Sequence, residues 1–77
     1  MEDNRKWFWF ETYVNGEKCF LNEHWFTSME NIFDVSRRIA EKARRFNKSA
    51  NIRIKVVEDT NELECVAICD FDARKAV

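Results

Sequence analysis

The stretch Trp7-Phe8-Trp9-Phe10-Glu11-Thr12-Tyr13-Val14-Asn15-Gly16-Glu17-Lys18-Cys19-Phe20-Leu21 decides the fold. Its Asn15-Gly16 pair contains the single glycine of the chain. Asn-Gly between alternating side chains is a strong hairpin signal, because a type I′ turn needs positive φ at both central residues. Counting back from the turn pairs Val14 with Glu17, Thr12 with Cys19, Phe10 with Leu21 and Phe8 with Glu23. The strands cover about 6–14 and 17–24. Phe8, Phe10, Thr12, Val14, Cys19 and Leu21 then share one face. Trp7, Trp9, Glu11, Tyr13, Lys18, Phe20, Asn22 and His24 share the other.

Downstream, helical periodicity runs over about 28–47. With 100° per residue, Met29, Ile32, Val35, Ser36, Ile39, Ala40, Ala43 and Phe46 fall in one arc, and Phe33 lies at its border. Thr27-Ser28-Met29-Glu30 has the spacing of a capping box. Asp34–Arg38 and Glu41–Arg45 have the i,i+4 spacing of helix-surface ion pairs.

Residues 51–58 and 62–71 alternate with period two and predict a second hairpin. With Thr60-Asn61 as its turn, Ile54 faces Ala67 and Val56 faces Cys65. The element order is strand, strand, helix, strand, strand, an α+β class. A helix joining strands two and three should leave them parallel to each other. Placing strand one between them makes every neighbouring pair antiparallel, so the predicted sheet order is 2-1-3-4. Order 2-1-4-3 is the runner-up, since Val66 and Ile68 make the last strand apolar on both faces.

The chain has 77 residues, which predicts one domain over 1–77. Hydrophobic residues are 45%, aromatic residues 14% and charged residues 35%, with a net charge of −1. That mixture excludes a disordered tail and a low-complexity segment. The longest apolar run is Trp7-Phe8-Trp9-Phe10, too short for a spanning helix or a secretory signal. Cys19, Cys65 and Cys69 are odd in number and form no Cys-x-x-Cys pair, which fits a reduced, cytoplasmic setting. They read as small buried apolar residues.

Catalytic signatures are missing from the sequence. His24 is the one histidine, and one glycine cannot build a phosphate loop. Glu62, Glu64, Asp70 and Asp72 read as a solvated strand edge. His24 and Cys69 fall on opposite faces, so no metal is expected, and no cofactor either. An enzyme is not expected.

One helix covers one sheet face. The other face then presents Trp7, Trp9, Tyr13, Phe20, Val57, Val66 and Ile68 among Glu11, Lys18, Arg53, Lys55, Glu64 and Asp70. Seven large apolar side chains exceed what a small monomer leaves bare. Trp and Tyr among charges also match the makeup of interfaces. The other way to cover this face is for Trp25, Phe26 or a chain end to fold over it. The binding face expected from sequence is therefore Trp7, Trp9, Tyr13, Phe20, Arg53, Lys55, Val66 and Ile68. In a homodimer, Arg53 and Lys55 would pair across the seam with Glu11, Glu64 or Asp70. Residues 27–48 carry six bases and three acids, and the cluster Arg37, Arg38, Arg44, Arg45 and Lys48 is a candidate basic patch.

The function expected is a small non-catalytic interaction module, of the inhibitor or adaptor type that a phage, virus or mobile element encodes, and homodimeric. The alternative is a single-stranded nucleic-acid binder in which Trp7 and Trp9 stack on bases, with Arg53, Lys55 and the basic helix flanking them.

Overall fold

The computed structural model describes residues 4–73, with backbone alone for Phe20 and Leu21. Strands β1 (Lys6–Val14) and β2 (Glu17–Thr27) are followed by a 3₁₀ turn (Met29–Asn31) and helix α1 (Ile32–Arg44). Strands β3 (Ile52–Glu58) and β4 (Cys65–Phe71) complete the order. The sheet is antiparallel throughout and ordered β2-β1-β3-β4, with α1 on one face. The aromatic-rich β1 is thus internal, as the parallel relation of β2 and β3 requires.

Asn15 at φ 49° and Gly16 at φ 86° make the turn that the Asn-Gly pair predicts. The Asn15 side chain accepts from the Asn51 amide at 2.9 Å, and the Asn15 amide donates to the Asn51 carbonyl at 2.9 Å. The turn is therefore tied to the start of β3.

The register holds only next to that turn. Val14 faces Glu17 and Tyr13 faces Lys18, but Glu11 then faces Asn22 and Phe10 faces Glu23. Cys19, Phe20 and Leu21 together oppose Thr12, so β2 gains two residues on β1. An even shift keeps Trp7, Trp9, Tyr13 and His24 on their predicted face; an odd one would have exchanged the faces. β2 runs on to Thr27, which pairs with Lys6 and is buried. This removes the capping box: Thr27 is a strand residue, and Ser28 precedes the 3₁₀ turn without a side-chain cap.

The second hairpin is also shifted by two. Ile54 faces Cys69 and Val56 faces Ala67. Six residues, 59–64, connect the strands in place of a two-residue turn, and Leu63 supplies the left-handed position at φ 49°. β-branched Thr60 is poorly suited to positive φ, which accounts for the longer loop. A bulge opposite Val56 and Val57 brings Cys65 against Val57 and sets Val66 against the helix-side core. The predicted placement of Val66 on the open face is corrected by that bulge.

The core is Phe8, Phe10, Ile52, Ile54 and Val56 from the sheet against Ile32, Val35, Ile39, Ala40 and Ala43 from α1. The helical arc holds over α1 itself and fails at its ends. Arg45 and Phe46 donate to the carbonyls of Lys42 and Ala43, a 3₁₀-type tightening that swings Phe46 out to 85% exposure. Met29 and Phe33 are exposed as well. Of the helix ion pairs, Asp34 meets Arg37 at 3.8 Å rather than Arg38. α1 lies over β3 and touches β1 and β4. Its far flank leaves a small groove between Thr12, Glu23, Ile39, Lys42 and Phe46.

Candidate functional site

On the face opposite α1, β1 presents Trp7, Trp9, Glu11 and Tyr13. The shifted register sets His24 directly across from Trp9 and Phe26 across from Trp7. Side chains directly opposite on antiparallel strands approach to about 5 Å, and diagonal neighbours remain within reach of large rings. His24 uses both relations. Its ring lies 4.1 Å from the Trp9 ring and 4.6 Å from the Trp7 ring, tilted by 18° and 26°. Two near-parallel indoles that close to one imidazole must lie on its opposite faces, since on one face they would overlap. Trp9, His24 and Trp7 therefore form a three-ring stack. Phe26 extends it at 5.2 Å from Trp7, and the Arg5 guanidinium sits 5.1 Å from the Phe26 ring.

The stack is pinned from the side. The His24 Nε2 and Asp59 Oδ2 are 2.8 Å apart, and the Asp59 amide donates to the Trp7 carbonyl at 3.0 Å. Thus the loop after β3 fixes both the imidazole and the strand that carries the indoles. The plate remains open outward: Trp7 is 49% exposed, Phe26 41% and Trp9 37%. Three aromatic side chains exposed to that degree leave on the order of 300 Å² of apolar surface, the size of the largest patch usual on a monomer. Val57, expected among the bare residues, is instead buried opposite Trp9 and Cys65.

The far end of the same face is different. Tyr13, Gly16, Arg53, Lys55, Ile68 and Asp70 line a shallow concavity of about 680 Å³. Arg53 donates from Nε to Asp70 Oδ1 at 2.7 Å and from Nη2 to Oδ2 at 3.3 Å. The hydrogen bond and the charge of Asp70 hold the guanidinium pKa above its ordinary value. Glu11 is engaged by Lys18 at 3.4 Å. The charge pairs expected across a seam are therefore closed within one chain: Arg53 with Asp70 and Glu11 with Lys18. Glu64 uses its backbone carbonyl to accept from Glu58.

The predicted face is therefore divided. Trp7 and Trp9 stand together at one end. Tyr13, Arg53, Lys55 and Ile68 stand together at the other. Val66 is turned to the core, and the side chain of Phe20 lies outside the described residues. His24 and Phe26 were not among the residues chosen from sequence. The signal for them was present, because the alternation of Asn22, His24 and Phe26 against Glu23, Trp25 and Thr27 continues the strand past residue 24. Trp25 does not fold over the open face; it packs against the helix-side core and donates to Glu23 at 2.9 Å.

The basic patch is divided too. Arg44 donates to the Phe71 carbonyl at 2.6 Å and anchors α1 to the end of β4. Arg37, Arg38, Arg45 and Lys48 are exposed. All three cysteines are free, with Cys65 exposed and Cys19 and Cys69 partly covered. Among the described residues no group of His, Cys, Asp or Glu side chains has the arrangement of a metal site, and no helix is long and apolar enough to cross a membrane. No protein-family model, curated protein or solved structure matches this chain.

Proposed function

We propose that this chain is a non-catalytic interaction module, of the inhibitor or adaptor kind, that self-associates through the sheet face opposite α1. The observation that carries the reading is the Trp9–His24–Trp7 stack with Phe26 beside it, exposed although the sheet already has a complete core on its other face. Rigid aromatic side chains, held before any partner arrives, lose little conformational freedom on binding. They are also the residue types that dominate interface energetics.

A second copy is the partner that the charges favour. Lys18–Glu11 and Arg53–Asp70 set acid beside base along this face. A face balanced in this way can meet its own copy without a block of like charge. Base stacking draws less support. His24 already covers one face of each indole, and of the two β3 cations, Lys55 and Arg53, the latter is committed to Asp70.

The test is Trp9→Lys, measured by light scattering and circular dichroism. The parent should have the mass of two chains and the variant the mass of one, with the parent's spectrum retained because the helix-side core is untouched. An oligonucleotide affinity that falls steeply with salt would favour the nucleic-acid reading instead.

A further inference from the structure

The two outer edges of the sheet differ. β2 is interrupted by the bulge opposite Thr12 and carries Glu17, Lys18 and Glu23. β4 pairs regularly with β3 from Ala67 to Phe71 and carries neither lysine nor proline, two residues that keep an edge from pairing. The backbone bonds around β3 show which groups of β4 point away from the sheet. Asn51 and Asp59, just outside β3, bond to Asn15 and Trp7, so the odd-numbered positions of β3 serve β1. The Glu58 amide donates to the Glu64 carbonyl, so the even-numbered positions serve β4. Ile52, Ile54 and Val56 therefore bond to their partners Phe71, Cys69 and Ala67. Ile68 lies between two of these and turns its amide and carbonyl outward, and no strand of the described residues lies beyond it. Apolar side chains flank this position on both faces. Ile68 itself is 55% exposed on the open side, and on the helix side Phe33, 57% exposed, rests against Phe71 with ring centres 5.5 Å apart.

We infer that the β4 edge is the docking site for an extended segment of a foreign protein, which joins the sheet beside β4 and carries apolar side chains at its centre and basic ones at its ends. This site is separate from the aromatic face and does not rest on self-association. Backbone groups that point outward from a sheet edge are matched by another strand, and the side chains around them select its sequence. Ile68 on one face, with Phe33 and Phe71 on the other, calls for an apolar centre. Charge selects a foreign strand over a second β4. Residues 62–72 hold Glu62, Glu64, Asp70 and Asp72 and no base. Arg53 bonds Asp70, whereas Glu62 and Glu64 are exposed at the other end of the strand and have no ion pair among the described residues. Like charges on paired strands repel and opposite ones attract, so acids along this edge disfavour a copy of the same strand and favour a segment that carries bases.

The probe that tests the inference is the peptide acetyl-Lys-Val-Thr-Val-Thr-Val-Lys-amide, fluorescently labelled, with binding to the full chain read by anisotropy. It should bind with a Kd below about 1 mM. The analogue with glutamate in place of lysine should bind at least about tenfold more weakly, and the double variant Glu62→Lys, Glu64→Lys should reverse that order. Methylating the peptide amides on alternate residues tests the backbone pairing. One alternate set faces β4, and methylating it should abolish binding; the other faces water, and methylating it should leave binding intact. Ile68→Pro removes the outward amide and no bond to β3, so the variant should stay folded by circular dichroism and lose at least about tenfold in affinity. If Ile68→Pro unfolds, the two methylated peptides decide. No binding of the lysine peptide at about 1 mM, equal binding of the glutamate analogue, or equal effects of the two methylation patterns would overturn the inference. A folded Ile68→Pro variant that binds the peptide as the parent does would overturn it as well.

Discussion

Ile39 and Ile54 face each other's layer across the core, yet truncating them should not cost the same. Each Ile→Ala change removes three carbons, about 2.4 kcal/mol of transfer free energy at about 0.8 kcal/mol per group. A sealed cavity adds about 24 cal/mol per Å³, close to 2 kcal/mol for the volume of those carbons if nothing relaxes. Ile54 is fully buried beneath α1 and should bear both contributions, about 4 kcal/mol. Ile39 is also buried, but it forms one wall of the groove beside Glu23, Lys42 and Phe46. Space opened there joins the groove, so the cavity contribution largely disappears and about 2.5 kcal/mol remains. Urea unfolding at one fixed protein concentration measures both, because an associating protein has concentration-dependent stability. A loss below about 1 kcal/mol for Ile39→Ala would refute the placement of the helix face. A loss for Ile39→Ala larger than that for Ile54→Ala would refute the reasoning from the groove.

The remaining expectations concern the two turns and the shifted register. At Gly16 an added Cβ meets no atom within 4 Å, so the cost of Gly16→Val is purely that of the left-handed backbone; thermal unfolding should show a loss above about 1 kcal/mol. Leu63 is left-handed and 58% exposed, so Leu63→Gly should raise stability by about 0.5–1 kcal/mol. A loss of stability would mean that the Leu63 side chain has a packing role. In the shifted register Glu23 lies opposite Phe10, where it accepts from Trp25 Nε1 and pairs with Lys42 at 3.3 Å. Glu23→Ala should cost about 1 kcal/mol by urea unfolding, and a silent change would contradict a role for these two contacts in stability.

The topology was legible because the signals for it are strong and local. Asn15-Gly16 marks the turn, α1 has a clean apolar arc, and Ile52, Ile54 and Val56 alternate. The antiparallel arithmetic then leaves β1 in the interior. Registers were less legible. Bulges opposite Thr12 and at Val66 depend on how three-dimensional packing settles, and no residue type there announces them. Because the shift along β1 and β2 is even, the faces were still read correctly, which is why Trp7, Trp9 and Tyr13 lie where the alternation put them. At β4 the single extra residue exchanged Val66 and Cys65. A lone histidine at a strand end, as His24 is in the sequence, carries no signal for a site. Its role in the stack follows from being opposite Trp9, which only the true pairing shows. The intrachain pairs Arg53–Asp70 and Glu11–Lys18 were not legible, because a sequence gives the face of a charge and not its nearest neighbour.

The measurement that tests the central claim most directly is the molar mass of the unaltered chain by light scattering across a dilution series up to about 100 μM, a hundredfold above a Kd of order 1 μM. Self-association through the aromatic face predicts the mass of two chains at the top of the series, falling toward one chain on dilution. The mass of a single chain at every concentration would contradict it.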